Sequence, residues 1–238
     1  LLCAKFSDYA PNGLQIEGKA QIARICTAVT ASDEVISQAI QFKADALLVH
    51  HGYFWRGEPG IITGMKRQRI AKLLHADINL FAYHLPLDCH LELGNNACIA
   101  QALQLNSVSS HKVGVTENLL WSGNLPTALK AEDFAVVLEK TFARTPQHIA
   151  SHNRPITRIA WCSGAAQDYI VDASELGVDA FISGEISERT YYQAKELAID
   201  YFGCGHHATE RLGIQALGEH LTKKYQLAHQ FLDSNNPV

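Results

Sequence analysis

The chain has 238 residues, with 20 basic against 24 acidic side chains and a formal charge of −4. That length allows one large domain or two modest ones, each able to bury a core without disulfide or metal staples. Hydrophobic residues make up 47% and charged residues 18%, which excludes disorder, collagen and coiled coil. No apolar run is long enough to span a bilayer. The charge balance also speaks against tight nonspecific binding to nucleic acid or anionic lipid. Six cysteines, at 3, 26, 89, 98, 162 and 204, form no CxxC pair, and several lie in apolar runs. Reduced thiols in a cytoplasmic protein are expected from that pattern, not a disulfide scaffold. The chain begins at Leu1 and not Met, so preceding residues are expected.

Strand-like runs alternate with helical patterns from the start. A strand over 22–30 leads to Ser32, whose hydroxyl with Asp33 and Glu34 behind it predicts a helix start. A buried strand over 44–51 ends in His50-His51 and Gly52. A helix over about 65–76 follows, then a strand over 78–84 and a helix over about 93–104. The segment 106–130 is rich in Ser, Thr, Asn and Gly and shows no clear period, so it reads as a crossover, with a helix over about 131–143 opening the second half.

That second half repeats the first. A shift of 134 places Ile22, Arg24, Ile25, Ala31, Ile36, Ala39, Asp45 and Ala46 on identical residues, eight identities in an ungapped stretch of 30. The third strands also correspond, 78–81 with 199–202. The expected fold class is therefore α/β, with two interlocked, duplicated halves and largely parallel sheets, divided as 1–112 and 113–238. The last helix would return metal ligands from the second half to the first.

In open parallel sheets, ligands bind beyond the carboxyl ends of the strands. Here those ends carry His50 and His51, then His84 with Asp88 after the stiff Pro86, then Glu185, and last His206 and Glu210 at a helix start. His206 and Glu210 are spaced i, i+4, which puts both on one helix face. Taken singly, Asp88 after a proline reads as a turn residue and Glu210 as a helix-dipole partner. Taken jointly, three imidazoles and two carboxylates exceed one tetrahedral site with an open position. They suit two ions bridged as in metal-dependent hydrolases. Glu185 is the candidate catalytic acid or base, and His84, His90 and His207 are candidates for supporting contacts. Ser163-Gly164-Ala165 reads as turn geometry, and the basic run Lys66-Arg67-Gln68-Arg69 with Lys72 as a solvated helix face. Tyr53, Phe54 and Trp55 are open between packing and stacking on a ring.

Five strings, Ser7-Asp-Tyr-Ala-Pro-Asn-Gly-Leu-Gln15, Val49-His-His-Gly-Tyr-Phe-Trp55, His84-Leu-Pro-Leu-Asp88, Leu93-Gly-Asn-Asn96 and Gly205-His-His-Ala-Thr-Glu210, resemble the Nif-three-like family, also called the GTP cyclohydrolase I type 2 homologs, in its short bacterial form. The resemblance covers essentially the whole chain and lacks only an opening helix before Leu1. It implies a toroidal homo-hexamer with a dinuclear metal centre in each subunit. By motif, the metal ligands would be His50, His51, Asp88, His206 and Glu210, the same five chosen from the strand ends. The divalent ions, two per subunit, would be zinc, iron, manganese or nickel. The implied function is a dinuclear-metal-dependent hydrolase acting on GTP, another nucleotide or a small polar substrate. The alternative is a non-catalytic metal-binding or regulatory ring, linked to DNA repair, and a ring of that kind could still use one local basic face on nucleic acid.

Overall fold

A computed structural model describes residues 1–238. Its elements begin with β1 (Gly13–Ile16), β2 (Arg24–Thr30), α1 (Asp33–Gln41), β3 (Ala46–His51), α2 (Gly64–His75), β4 (Asn79–Ala82), α3 (Leu85–Asp88) and α4 (Asn95–Ala102). Next come β5 (Asn106–Val113), β6 (Thr116–Leu129), α5 (Ala131–Phe142), β7 (Gln147–Ile149) and β8 (Ile156–Trp161). The chain closes with α6 (Ile170–Ser174), β9 (Ala180–Ser183), α7 (Glu188–Leu197), β10 (Asp200–Gly203), α8 (His206–Thr209), α9 (Arg211–Tyr225) and β11 (Ala228–Phe231). No helix is long and apolar enough to cross a membrane.

The chain divides into two compact units, one of residues 1–87 with 213–235 and one of 88–212 with 236–238. The sequence placed the division at 112/113, with 113–238 in one piece. The first unit needs its distant C-terminal segment because its sheet is apolar on both faces. That sheet runs β1-β4-β3-β2-β11, parallel throughout except for β1. Alternate residues Cys26, Ala28, Leu47, Val49 and Leu80 pack on one side with Val35, Ile36 and Ala39 of α1 and Ile70 and Leu73 of α2. The opposite set, Ile25, Val29, Ala46 and Leu48, packs against Ile214 and Leu217 of α9. Gly218 lets that helix approach closely, since a Cβ there would meet His229 Nε2 at 2.3 Å and Thr27 Cγ2 at 2.8 Å. The predicted start of α1 is observed, with Ser32 Oγ accepting from the amide of Val35 at 3.2 Å.

The second unit holds a six-stranded sheet, β5-β6-β8-β9-β10-β7, in which β8, β9 and β10 are parallel and the flanking pairings are antiparallel. Trp161, Phe134, Phe142, Phe202 and Ile182 fill its core. The segment expected as an irregular crossover is the β5–β6 hairpin. Every residue of β5 is exposed or half-buried, so no apolar alternation marked it.

Duplication extends to register. Ile25 pairs with Ala46 in the first sheet and Ile159 with Ala180 in the second, positions related by the same shift of 134. In both copies an aspartate at the start of the middle strand ties down the start of its neighbour. Asp45 Oδ2 accepts from the amides of Ala23 and Arg24 at 3.0 and 2.9 Å. Asp179 Oδ2 accepts from those of Thr157 and Arg158 at 2.9 and 3.1 Å. Burial opposes the charge on Asp179, but these amides with Thr157 Oγ1 and Arg154 outweigh it and hold the carboxyl at about 2, below its ordinary 3.8. A carboxyl depressed on folding contributes stability above its unfolded pKa and loses it as pH falls through the folded one. Asp179→Asn should therefore lower unfolding free energy at pH 7 by about 2 kcal/mol. In denaturant titrations between pH 7 and pH 2, that difference should shrink below about pH 4.

Candidate metal centre

In the first unit, β3 delivers His50 and His51 at its carboxyl end, and the turn after β4 delivers His84. Adjacent strand residues ordinarily face opposite sides. At this strand end the two rings instead lie 4.7 Å apart between centroids, tilted by 47°. His84 joins them at 5.1 Å from His50 and 5.8 Å from His51. One ligating atom from each of the three lies within 4.8 Å of the others. His50 Nδ1 bonds the carbonyl of Tyr83 at 2.9 Å. A carbonyl only accepts, so Nδ1 carries the proton and Nε2 the lone pair. His51 Nδ1 is held by Thr30 Oγ1 at 3.2 Å, and His84 Nδ1 by Asp8 Oδ1 at 2.7 Å. Burial works against the Asp8 charge, yet His84, Asn12 and the amide of Tyr9 draw its pKa down to about 2. Of the aromatic run, Tyr53 is core, donating to the carbonyl of Ala31 at 2.8 Å, and Trp55 stands edge-on to His84 at 5.0 Å.

In the second unit, α8 presents His206, and Glu210 follows one turn later. His206 Nε2 lies 3.1 Å from Glu210 Oε1, as the i, i+4 spacing predicted, and Nδ1 lies 2.6 Å from Glu185 Oε1. Burial disfavours a charged His206, but the hydrogen bonds and charges of Glu210 and Glu185 outweigh it and raise the imidazole to about 9. Glu185 thus fixes the orientation of the His206 ring through its Nδ1. Asp88 is buried, and its Oδ1 accepts from Asn95 Nδ2 at 2.8 Å and Ser163 Oγ at 3.0 Å. Asn96 braces the same corner, with Oδ1 accepting from the amide of Ser163 at 2.9 Å and its carbonyl accepting from Trp161 Nε1 at 2.9 Å. Cys162 is no rival ligand, because burial, reinforced by the nearby Asp88, Cys89 and Glu210, pushes its thiol well up. All six cysteines are free thiols. The donor set is therefore imidazole and carboxylate, which suits a divalent transition metal.

The sequence of the Duf34/NIF3 (NGG1p interacting factor 3) family matches residues 1–237. A relative in Vibrio cholerae named GTP cyclohydrolase 1 type 2 homolog is 52% identical over 233 residues, 97% of this chain and 92% of that protein. One of the same name in Yersinia pestis is 50% identical over 234 residues, 98% and 93% of the two chains. The solved structure of protein ybgI, of unknown function, superposes with a TM-score of 0.94 at 45% identity, covering 99% of this chain and 94% of that one. TTHA1606 from Thermus thermophilus gives 0.87 at 30% identity, with 98% and 92% covered. The chain belongs to the Duf34/NIF3 family.

Two residues of this Duf34/NIF3 site escaped the sequence reading. Ser163, taken as part of an ordinary turn, donates to Asp88, and Gly164 beside it holds φ +68°, where a Cβ would meet Glu210 Oε1 at 2.4 Å and His206 Nε2 at 3.2 Å. Only their tertiary neighbours reveal either role. His90 Nδ1 accepts from the amides of Glu92 and Leu93 at 3.2 and 3.0 Å, capping a turn, and the amide of His207 donates to the carbonyl of Val238 at 3.0 Å. On the basic helix α2, Lys66 pairs with Glu58 and Lys72 with Asp33, the solvated face that its sequence suggested. Gly164→Ala should cost about 1–2 kcal/mol from the left-handed backbone. Because the methyl displaces Glu210, metal affinity should also fall roughly 10–100-fold. Thermal unfolding and metal titration read the two effects separately.

Proposed function

We propose that this chain is a metal-dependent hydrolase of a nucleotide or another small polar substrate, with two divalent ions held by His50, His51, Asp88, His206 and Glu210. The observation that carries this reading is the commitment of Nδ1 in His50, His51 and His206 to Tyr83, Thr30 and Glu185, which directs each Nε2 toward a ligand. Chain connectivity supports it as well. The chain passes between its two units at 87/88, beside Asp88, and at 212/213, two residues beyond Glu210. Two of the five ligands, Asp88 and Glu210, therefore lie within two residues of a point where the chain enters or leaves its second unit.

Zinc, iron, manganese or nickel fits imidazole and carboxylate donors, and such an ion supplies Lewis acidity at neutral pH. Around it, Ser163 and Asn95 fix the rotation of the Asp88 carboxylate by converging on one oxygen. Glu185 orients His206 and, with its side chain 35% exposed, is the carboxylate placed to exchange a proton with solvent. The relatives' name makes GTP the first substrate to try, in which opening of the guanine ring at C8 releases formate.

Elemental analysis of protein purified without chelator should find about two ions per chain, falling to one or fewer in His206→Ala. GTP and other nucleotides should then turn over with the wild type and not with the variant. A wild type that binds no zinc, iron, manganese or nickel would sink the reading. The family resemblance further implies a ring of six chains, so light scattering should give about six times 26.2 kDa.

A further inference from the structure

The carboxyl edge of the second sheet carries a charged side chain that the metal centre does not use. Strand β7 runs antiparallel to β10 with Gln147 opposite Gly203, and Gly203 in turn lies level with Ser183 of β9. The start of β7 therefore shares an edge with the ends of β9 and β10. Glu185 stands two residues beyond Ser183, His206 three beyond Gly203, and Arg144 three before Gln147. Helix α5 ends at Phe142, and Ala143, at φ +52°, turns the chain so that Arg144 meets this edge. There its side chain lies against Gly205, the residue before His206. A Cβ on Gly205 would meet Arg144 Cδ at 2.7 Å, Nε at 2.9 Å and Cζ at 3.2 Å. Gly205 also holds φ +95°, so the conformation and the close approach both call for glycine.

The second unit has five arginines, and four of them are spent. Arg154 and Arg189 pair with Asp179 and Asp168. Arg158 donates to the Leu176 carbonyl, Asn124 and Ser122, and Arg211 to the Phe142 carbonyl. The guanidinium of Arg144 makes no hydrogen bond and no ion pair, although the residue is half-buried. Its near neighbour Glu139 gives its carboxylate to Thr145 Oγ1 instead, at 2.5 Å. A free guanidinium is a planar fork of donors that matches the oxygens of a phosphate. Laid along Gly205, this one has already lost part of its freedom, so less remains to be lost when an anion binds.

We propose that Arg144 binds a phosphate of the substrate at the edge that carries His206 and Glu185, so that the substrate is a nucleotide and not the bare nucleoside or base. This deepens the hydrolase reading given above and rests on it. Two carboxylates, Glu185 and Glu210, flank His206 and repel an approaching anion. Arg144 is the side chain of this edge with positive charge to spare, and it sits one residue from the ligand that those carboxylates hold.

The test uses the full chain as purified and two variants, Arg144→Met, which keeps the apolar stem over Gly205, and Arg144→Lys, which keeps the charge without the fork. In calorimetric titrations Arg144→Met should weaken GTP and inorganic pyrophosphate roughly 10–100-fold. Guanosine binding and metal content should stay as in the wild type, and Arg144→Lys should fall between. A second measurement needs no variant. Phenylglyoxal should modify Arg144 of the wild type, and mass spectrometry of the digest should show GTP or pyrophosphate protecting it and guanosine leaving it open. Equal GTP affinity in wild type and Arg144→Met, or modification undiminished by GTP, would overturn the proposal, while GTP turnover would leave the hydrolase reading standing. Protection by GTP and Arg144-dependent binding without any turnover would sink the hydrolase reading and leave the phosphate site in place.

Discussion

A neutral imidazole has one N–H and one lone pair, and whatever takes the first nitrogen decides where the second is offered. His50, His51, His84 and His206 all have Nδ1 engaged, by a carbonyl, a hydroxyl and two carboxylates. Much of the local architecture serves those four contacts. The turn after β4 supplies the Tyr83 carbonyl, the end of β2 supplies Thr30, and residues 8–15 supply Asp8. The Gly184-Glu185 turn after β9 supplies the last partner. Freeing any ring would leave its orientation to a flexible side chain.

The two copies of the strand–helix–strand unit share a scaffold and differ at its rim. Their aspartates make the same amide contacts and their parallel strands the same register. A shift of 134 also places His50-His51 on Gly184-Glu185. One copy thus presents two imidazoles at a strand end where the other presents a carboxylate that orients an imidazole. The buried starts of the third strands, Asn79 and Asp200, likewise both bind linking backbone, at Gly18 and at Ser151. Conserving the clamp while varying the rim is how a duplicated scaffold acquires an asymmetric site.

What the sequence made legible follows from where its signals are local. The strand ending in His50-His51, the helix capped by Ser32 and the His206–Glu210 pair are written in runs of under a dozen residues, and each stands as expected. The β5–β6 hairpin was illegible because its outer strand faces water and lacks apolar alternation. The domain boundary was misplaced because α9 packs on strands nearly two hundred residues earlier. Ser163, Gly164 and Asp8 owe their roles to neighbours 75, 46 and 76 positions away, which no spacing rule reaches.

The closing of the first sheet by α9 bears on synthesis. Residues 88–212 form the second unit almost without interruption, so its core can be complete before the C-terminus is made. The first unit, although translated earlier, must wait with Ile25, Val29, Ala46 and Leu48 uncovered until Ile214 and Leu217 emerge. One face of the N-terminal sheet thus gains its cover only after every residue of 88–212 has been made, which leaves apolar surface open for most of synthesis.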